Sequence, residues 1–369
     1  MTVLNVIGET FFDHDHEANR FALQDLTAAL LATAPRGCKI EYLLPRGSQL
    51  PQISDPNLTI SEIPLAAKTL PVVWRASAAA NPLSGEFVHA LTPLAPTSPL
   101  SNADGTQVTV SVTHLPEASV GSPLNPVTRA PRALLKRAIK NANRILATSH
   151  TLAEKLQAQH GATRVNVVPL AAPTEFLPGD NAKKRRQELS LPKHYIVTTA
   201  AAGSAELESL VKAVTAVRGA PQLVVLDTSF NFLSDQSATA DSATPAAADN
   251  RVCYPALEAA TDIGAVLAGA ELLVLPQQHL EAGYEVYAAL EAGIPIAHAE
   301  HDEVTEFAQE GSVVFSNQET LERLLQDLFD SDSQASAQLQ TLQVLAADRS
   351  GVYSWDRVAR EIWQIHAEI

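Results

Sequence analysis

Short apolar runs of strand length alternate along this chain with stretches whose apolar residues follow helical spacing. Residues 3–7 and 40–44 have the composition of buried strands, and residues 17–34 between them place apolar side chains three to four positions apart. Such alternation predicts a parallel sheet whose right-handed crossovers are helices. The chain is therefore expected to be an α/β protein.

The same alternation continues beyond a stretch that has the composition of a linker. Residues 173–193 hold three prolines, Gly179 and a basic run at 183–186. We expect a first domain at 1–172, a linker at 173–192, a second domain at 193–352 and a C-terminal amphipathic helix at 353–369. A loop with little to bury is expected at 234–250. Further expected strands are 86–89, 108–112, 144–149, 165–169, 194–199 and 223–227, and further expected helices are 132–143, 151–160, 205–217 and 257–268.

Length and charge narrow the classes of function. The 369 residues suffice for two domains that each bury a core. A net charge of −15 disfavours nucleic acid as a partner, because a phosphate backbone demands a basic footprint. We expect no transmembrane segment, and residues 1–7 have the pattern of a first strand rather than a signal peptide, so a cytoplasmic location is expected. Cys38 and Cys253 lie too far apart in sequence to indicate a zinc site.

One local exception to the acidic charge is a basic stretch on the helix expected at 132–143. Its cations are Arg132, Lys136, Arg137 and Lys140. The simpler interpretation is a solvated helix face. The alternative is a docking patch for an acidic partner or for lipid headgroups, which would bring the protein to the inner face of a membrane.

The most patterned segment runs from residue 271 to residue 315. It begins with a buried strand that ends in Pro276, continues through a turn at Gly283 into a helix, and closes with Gly293, Pro295 and a second apolar strand. This order resembles the donor-sugar segment of family 4 glycosyltransferases. Similar family segments occur, in the family's order, at 19–37, 88–96, 112–118, 145–156, 165–171 and 355–363.

The resemblance implies the GT-B architecture, with two Rossmann-like doubly wound domains that face a cleft and a C-terminal helix that crosses back to the first domain. It also implies where a nucleotide sugar would be held. In the family, two glutamates contact the ribose and the sugar, an Arg-Lys pair compensates the diphosphate, and a Gly-rich loop approaches it.

This chain departs from the family at each of those places. The two glutamate positions are Leu280 and Ala288, and the Arg-Lys positions are Ser204 and Ala205. The Gly-rich loop is replaced by residues 13–19, which carry three carboxylates and two histidines. Neither Ser nor Ala neutralises phosphate, so the resemblance combined with these losses predicts weak binding of nucleotide sugars.

Two functions remain open from the sequence. The first is a degenerate family 4 relative that requires no cofactor and serves as a structural or regulatory partner, for example of an active glycosyltransferase in cell-envelope or polysaccharide assembly. The second is an active retaining glycosyltransferase that uses a nucleotide sugar through a rebuilt site. The candidate catalytic residue is His114, and the candidate binding residues are His89, Glu281, Gly283, His298, Glu300 and His301. A metal site at residues 13–17 is less favoured than a solvated acidic loop.

Overall fold

The computed structural model describes residues 2–9, 16–76, 87–97, 105–116, 126–200, 204–228, 251–277, 280–330 and 333–369. They form two compact units: unit 1 comprises Met1–Ala171 with Ser354–Ile369, and unit 2 comprises Ala172–Tyr353. Each unit has its own parallel sheet and its own apolar core.

Unit 1 contains a seven-stranded sheet. Its strands are β1 (Thr2–Ile7), β2 (Cys38–Pro45), β3 (Leu58–Ile63), β4 (Phe87–Ala90), β5 (Gln107–Val112), β6 (Arg144–Ala147) and β7 (Val165–Val167). Its helices are α1 (His16–Ala32), α2 (Leu70–Ala76), α3 (Pro126–Asn141), α4 (His150–His160) and, from the end of the chain, α12 (Trp355–Glu368). The strand order is β3-β2-β1-β4-β5-β6-β7, with every pair parallel.

The helix α4 shows how local sequence sets these boundaries. The Ser149 hydroxyl accepts the backbone N–H of Leu152, which caps the amino end of the helix. At the other end, Gly161 has φ 66°, a left-handed conformation that glycine adopts without strain. The buried face between these caps, Leu152 and Leu156, packs into the unit 1 core.

The C-terminal helix α12 packs against α1 inside unit 1. Its apolar face buries Val358, Ile362 and Trp363. The indole N–H of Trp363 donates to the carbonyl oxygen of Leu30 at 3.1 Å. Because Leu30 lies in the last turn of α1, its carbonyl has no partner within the helix and needs one from elsewhere. The chain terminus therefore completes the end of the first helix.

Unit 2 contains a six-stranded sheet. Its strands are β8 (Tyr195–Thr199), β9 (Gln222–Leu226), β10 (Val252–Cys253), β11 (Leu273–Leu275), β12 (Ile296–Ala299) and β13 (Ser312–Phe315). Its helices are α5 (Ala182–Glu188), α6 (Ser204–Ala216), α7 (Thr261–Leu267), α8 (Tyr284–Glu291), α9 (Asp302–Ala308), α10 (Gln318–Phe329) and α11 (Ser333–Ser350). The strand order is β10-β9-β8-β11-β12-β13, all parallel.

The stretch expected to be a linker is built into unit 2. Its helix α5 packs against α7, and the two are joined by the guanidinium of Arg185, which donates to both carboxylate oxygens of Asp262 at 2.6 and 3.0 Å. Asp262 is almost fully buried and also accepts the backbone N–H groups of Glu258 and Ala259. The helix α7 begins at Thr261 and not at the expected residue 257. Asp262 in its first turn supplies the acceptor for the N–H groups of Glu258 and Ala259 just before it.

Sequence patterns located most elements to within a few residues and missed several, among them the short strand β10 and the strand β13. The edge strand β3 was not predicted because its side chains are largely exposed and form no apolar run. The short helix α2 and the helices α10 and α11 were also not assigned. For α10 a signal exists, since Asn317 and Thr320 form a reciprocal cap at its start. The loop expected at 234–250 lies outside the described residues. Among the described helices, none has the length and apolarity to span a bilayer.

Candidate functional site

Three adjacent strands of unit 2 end together at one edge of the sheet. Leu273 lies beside both Val197 and Ile296, and Thr199, Leu275 and His298 each follow two residues further along their own strands. Residues at one level of a parallel sheet project from the same face. We call the ends of β8, β11 and β12, marked by Thr199, Gln277 and His298, the carboxyl edge of unit 2. Ligands of open α/β sheets usually bind at such an edge.

His298 presents a single defined nitrogen at this edge. Its Nδ1 lies 2.6 Å from the carbonyl oxygen of Ala299, which can only accept, so Nδ1 carries the proton. Burial lowers the pKa of His298, and the hydrogen bond to Ala299 opposes this in part. The ring is therefore neutral near pH 7. Its Nε2 is buried, can only accept, and has no hydrogen-bond partner among the described residues.

Two further polar atoms at this edge are buried and unpaired. Thr199 Oγ1 and Gln277 Oε1 have no hydrogen-bond partner within the part of the chain that the structure describes. Both side chains are nine-tenths buried or more. Most buried polar groups in proteins form hydrogen bonds. Three buried polar atoms without a partner among the described residues, at the ends of neighbouring strands, therefore need an explanation.

The turn that enters α8 is covered by an apolar side chain. Gly283 adopts φ 70°, and a Cβ built there would lie 2.8 Å from Leu280 Cδ2. Leu280 is 8% exposed and Ala288, one turn into α8, is 1% exposed. Both positions that the family resemblance assigns to sugar-binding glutamates therefore hold buried apolar side chains.

The remaining candidates of unit 2 lie in the chain segments that follow β11 and β12. Glu300 is exposed and accepts a hydrogen bond from the Ser316 hydroxyl at 2.8 Å. His301 is buried, and its backbone carbonyl accepts from Thr305 at the start of α9. Glu281 is half-buried next to Leu280.

The chain segments that follow the strands of unit 2 carry no cation. Residues 200–203, 227–250, 276–283, 299–303 and 316–317 contain no lysine or arginine. Ser204 begins α6, and Ala205 is exposed in its first turn. In the described part of these segments the carboxylates are Asp227, Glu281, Glu300, Asp302 and Glu303. Their charge opposes the approach of an anion.

In unit 1, His89 is fully buried beneath α12. Its Nδ1 lies 2.9 Å from Thr109 Oγ1, and His366 Nε2 lies 3.1 Å from the same oxygen. The Thr109 hydroxyl donates to the carbonyl of Val88, so both imidazole N–H groups can donate to Thr109. His366 also stacks on Phe87, with ring centroids 5.0 Å apart. His89 thus takes part in holding α12 against the sheet.

The two other features of unit 1 that the sequence singled out lie apart from this network. His114 is half-buried after β5, with Nδ1 3.0 Å from the hydroxyl of its neighbour Thr113. On α3, Lys136 and Lys140 are exposed, whereas Arg137 donates to the carbonyl of Trp74. Arg137 is therefore committed in part to the protein itself. Within the described ranges, no group of three or more His, Cys, Asp or Glu side chains could hold a metal ion.

Solved structures with the GT-B fold match this chain along its length, and the expected fold class, α/β with two Rossmann-like parallel-sheet units, is confirmed. Among solved structures, the sucrose-phosphate synthase of Thermosynechococcus elongatus is similar over 100% of this chain and 99% of its own, with TM-score 0.73 and 15% identity. The Anabaena protein HepE in complex with UDP-glucose is similar over 100% of both chains, with TM-score 0.64 and 13% identity. WaaG, a glycosyltransferase involved in lipopolysaccharide biosynthesis, is similar over 99% of both chains, with TM-score 0.65 and 11% identity. No family model and no curated protein matches the sequence.

Sequence reasoning did not single out Thr199 or Gln277. Both directly end or follow a strand, which was a usable signal because the carboxyl ends of parallel strands meet at one edge. The sequence could not supply the finding that their polar atoms lack partners among the described residues, since this depends on which side chains surround them. Nor could it supply the Thr109 hydroxyl that His89 and His366 share, since the two histidines lie 277 positions apart in the chain.

Proposed function

We propose that this chain is a glycosyltransferase-like protein of GT-B fold whose nucleotide-sugar site is eroded, and that it acts as a structural or regulatory partner in cell-envelope or polysaccharide glycosylation. The observation that carries the proposal is the packing of Leu280 against Gly283. An isobutyl group lies at the turn into α8, where the family resemblance places a glutamate.

Charge supports the same conclusion. Transfer from a nucleotide sugar releases a diphosphate, whose developing negative charge must be met by cations, a metal ion or a helix start. The segments after the strands of unit 2 carry carboxylates and neither lysine nor arginine. Each charge-assisted hydrogen bond to phosphate that is missing costs about 1.5–3 kcal/mol of binding free energy.

Calorimetry of the full chain with UDP-glucose, GDP-mannose and UDP tests this proposal. We expect no heat of binding at ligand concentrations of about 1 mM, because several charge-assisted contacts are lost together. An active GT-B glycosyltransferase measured under the same conditions is the positive control. Micromolar binding of a nucleotide sugar, together with release of the free nucleotide, would support the active-enzyme alternative and overturn the proposal.

The partner role requires a second measurement. A glycosyltransferase from the same cell should be co-purified with the tagged protein and then reconstituted with and without it. We expect the kcat or the solubility of that transferase to change on addition of this chain. An unchanged transferase across such reconstitutions would contradict the regulatory part of the proposal.

A further inference from the structure

We propose that the carboxyl edge of unit 2 binds an uncharged, hydroxyl-rich molecule, such as an unphosphorylated sugar. This deepens the proposed function and rests on it, because it names a ligand class for the site that has lost the nucleotide sugar. The evidence is the set of three buried polar atoms at that edge, Thr199 Oγ1, Gln277 Oε1 and His298 Nε2, which have no partner among the described residues.

The chemistry of these atoms specifies what could satisfy them. His298 Nε2 can only accept, because Nδ1 donates to Ala299. An amide oxygen such as Gln277 Oε1 also can only accept, and the Thr199 hydroxyl can donate or accept. A matching ligand must therefore bring at least two hydrogen-bond donors and one group of either kind. Adjacent sugar hydroxyls have this combination.

A phosphate does not meet this requirement. Ionised phosphate oxygens accept hydrogen bonds and do not donate them, so they would face His298 Nε2 and Gln277 Oε1 acceptor against acceptor. No lysine or arginine follows the strand ends to compensate the charge.

A cationic amine does bring donors, but the three buried atoms are neutral. An ammonium group placed against them would lose its hydration without gaining an ionised partner, which is costly in a buried site. The carboxylate of Glu300, the closest along the chain to His298, is exposed and already accepts from Ser316. The neutral hydroxyl remains the donor that fits.

The burial of these atoms also sets the expected strength. A ligand reaches them only by displacing part of the protein that covers them, and that displacement reduces the net binding free energy. We therefore expect weak binding, with a dissociation constant of about 1 mM.

Saturation-transfer NMR and calorimetry on the full chain, with glucose, trehalose and UDP-glucose as probes, test the inference. We expect saturation transfer from the protein to the two sugars, and no gain in affinity when the sugar carries UDP. Thr199→Val and Gln277→Leu should each weaken sugar binding about tenfold, since each removes a hydrogen bond inside the site.

Thr198→Val is the matched control. Thr198 is also fully buried, and its hydroxyl has no hydrogen-bond partner in the described part of the chain, but it lies on the opposite face of β8, toward α6 and α10. We expect it to leave sugar binding unchanged. Circular dichroism and thermal unfolding of all three variants report whether they fold.

The outcomes separate the two proposals. No sugar signal with the folded wild-type chain, or equal effects of Thr198→Val and Thr199→Val, overturns this inference and leaves the proposed function standing. Micromolar binding of UDP-glucose that depends on Thr199 overturns both.

Discussion

Trp363, near the end of the chain, donates its indole N–H to the carbonyl oxygen of Leu30 in the last turn of α1. The two residues are 333 positions apart, and both are buried. The contact supplies a carbonyl at a helix end with the partner that the helix itself cannot provide. It joins the first helix and the last helix of unit 1.

Trp363→Phe should destabilise unit 1 by about 1–3 kcal/mol, because the Leu30 carbonyl remains buried without its donor. Urea unfolding followed by circular dichroism measures the change. Trp355→Phe is the matched control, since Trp355 opens the same helix and is half-exposed. Equal losses for the two variants would contradict a specific role for the buried contact between Trp363 and Leu30.

The stability of unit 1 should fall as the pH drops from 7 to 5. Burial lowers the pKa of His89 to about 3 and that of His366 to about 4, and the neighbouring His366 contributes to the shift of His89. Both pKa values lie below the ordinary value of about 6.5, so below that pH the unfolded state takes up protons that the folded state does not. The free energy of unfolding is therefore at its full value above about pH 6.5 and falls progressively below it. The pair should account for about 3 kcal/mol between pH 7 and pH 5.

Urea unfolding at both pH values checks this expectation. His366→Gln retains a hydrogen-bonding side chain that does not titrate, so the variant should lose roughly half of the pH dependence. His150→Gln is the control, because His150 is exposed at the start of α4. If His366→Gln keeps the full pH dependence of the wild type, His366 does not contribute to the pH dependence of the free energy of unfolding.

Arg185→Gln should destabilise unit 2 by about 3 kcal/mol, because it leaves the Asp262 carboxylate buried without its cation. Although burial by itself raises the pKa of Asp262, the hydrogen bonds from Arg185, Glu258 and Ala259 lower it below the ordinary value. The exposed pair Arg323 and Glu319 supplies the control, and Arg323→Gln should cost about 0.5 kcal/mol or less. Comparable losses in chemical unfolding would contradict the assignment of α5 to the structured part of unit 2.

Gly283→Ala should cost more stability than Gly37→Ala. Both glycines have a left-handed backbone, with φ 70° and 84°, so each substitution incurs about 1 kcal/mol of strain. At Gly37 a Cβ meets nothing within 4 Å, whereas at Gly283 it meets Leu280 at 2.8 Å.

A double-mutant cycle with Leu280→Ala isolates the contribution of the contact between a Cβ at position 283 and Leu280. If Leu280 packs on Gly283 as described, Gly283→Ala should cost less in the Leu280→Ala background than in the wild type. Additive losses in thermal or chemical unfolding would show that Leu280 does not cover this turn.

The strand-helix alternation was sufficient to predict the fold class, because the periodicity of apolar residues is a local property that survives in the sequence. β1, β8 and α4 appear within one or two residues of their expected bounds. Elements that depend on residues distant in the sequence were not predicted. The edge strand β3 has no apolar run, and the stretch expected to be a linker contains α5, whose packing depends on Asp262, 77 positions beyond Arg185.

Some features of the candidate site also follow from the sequence alone, and others depend on the tertiary structure. The replacement of charged residues by Leu280, Ala288, Ser204 and Ala205, and the lack of cations after the strands of unit 2, are properties of the sequence itself. Tertiary structure decided that Leu280 packs on Gly283 and that His89 and His366 share the hydroxyl of Thr109. It also decided that Thr199, Gln277 and His298 each have a buried polar atom without a partner among the described residues. The reason is physical: charge and periodicity belong to residue types, whereas burial and hydrogen-bond partners depend on residues that the chain brings together from distant positions.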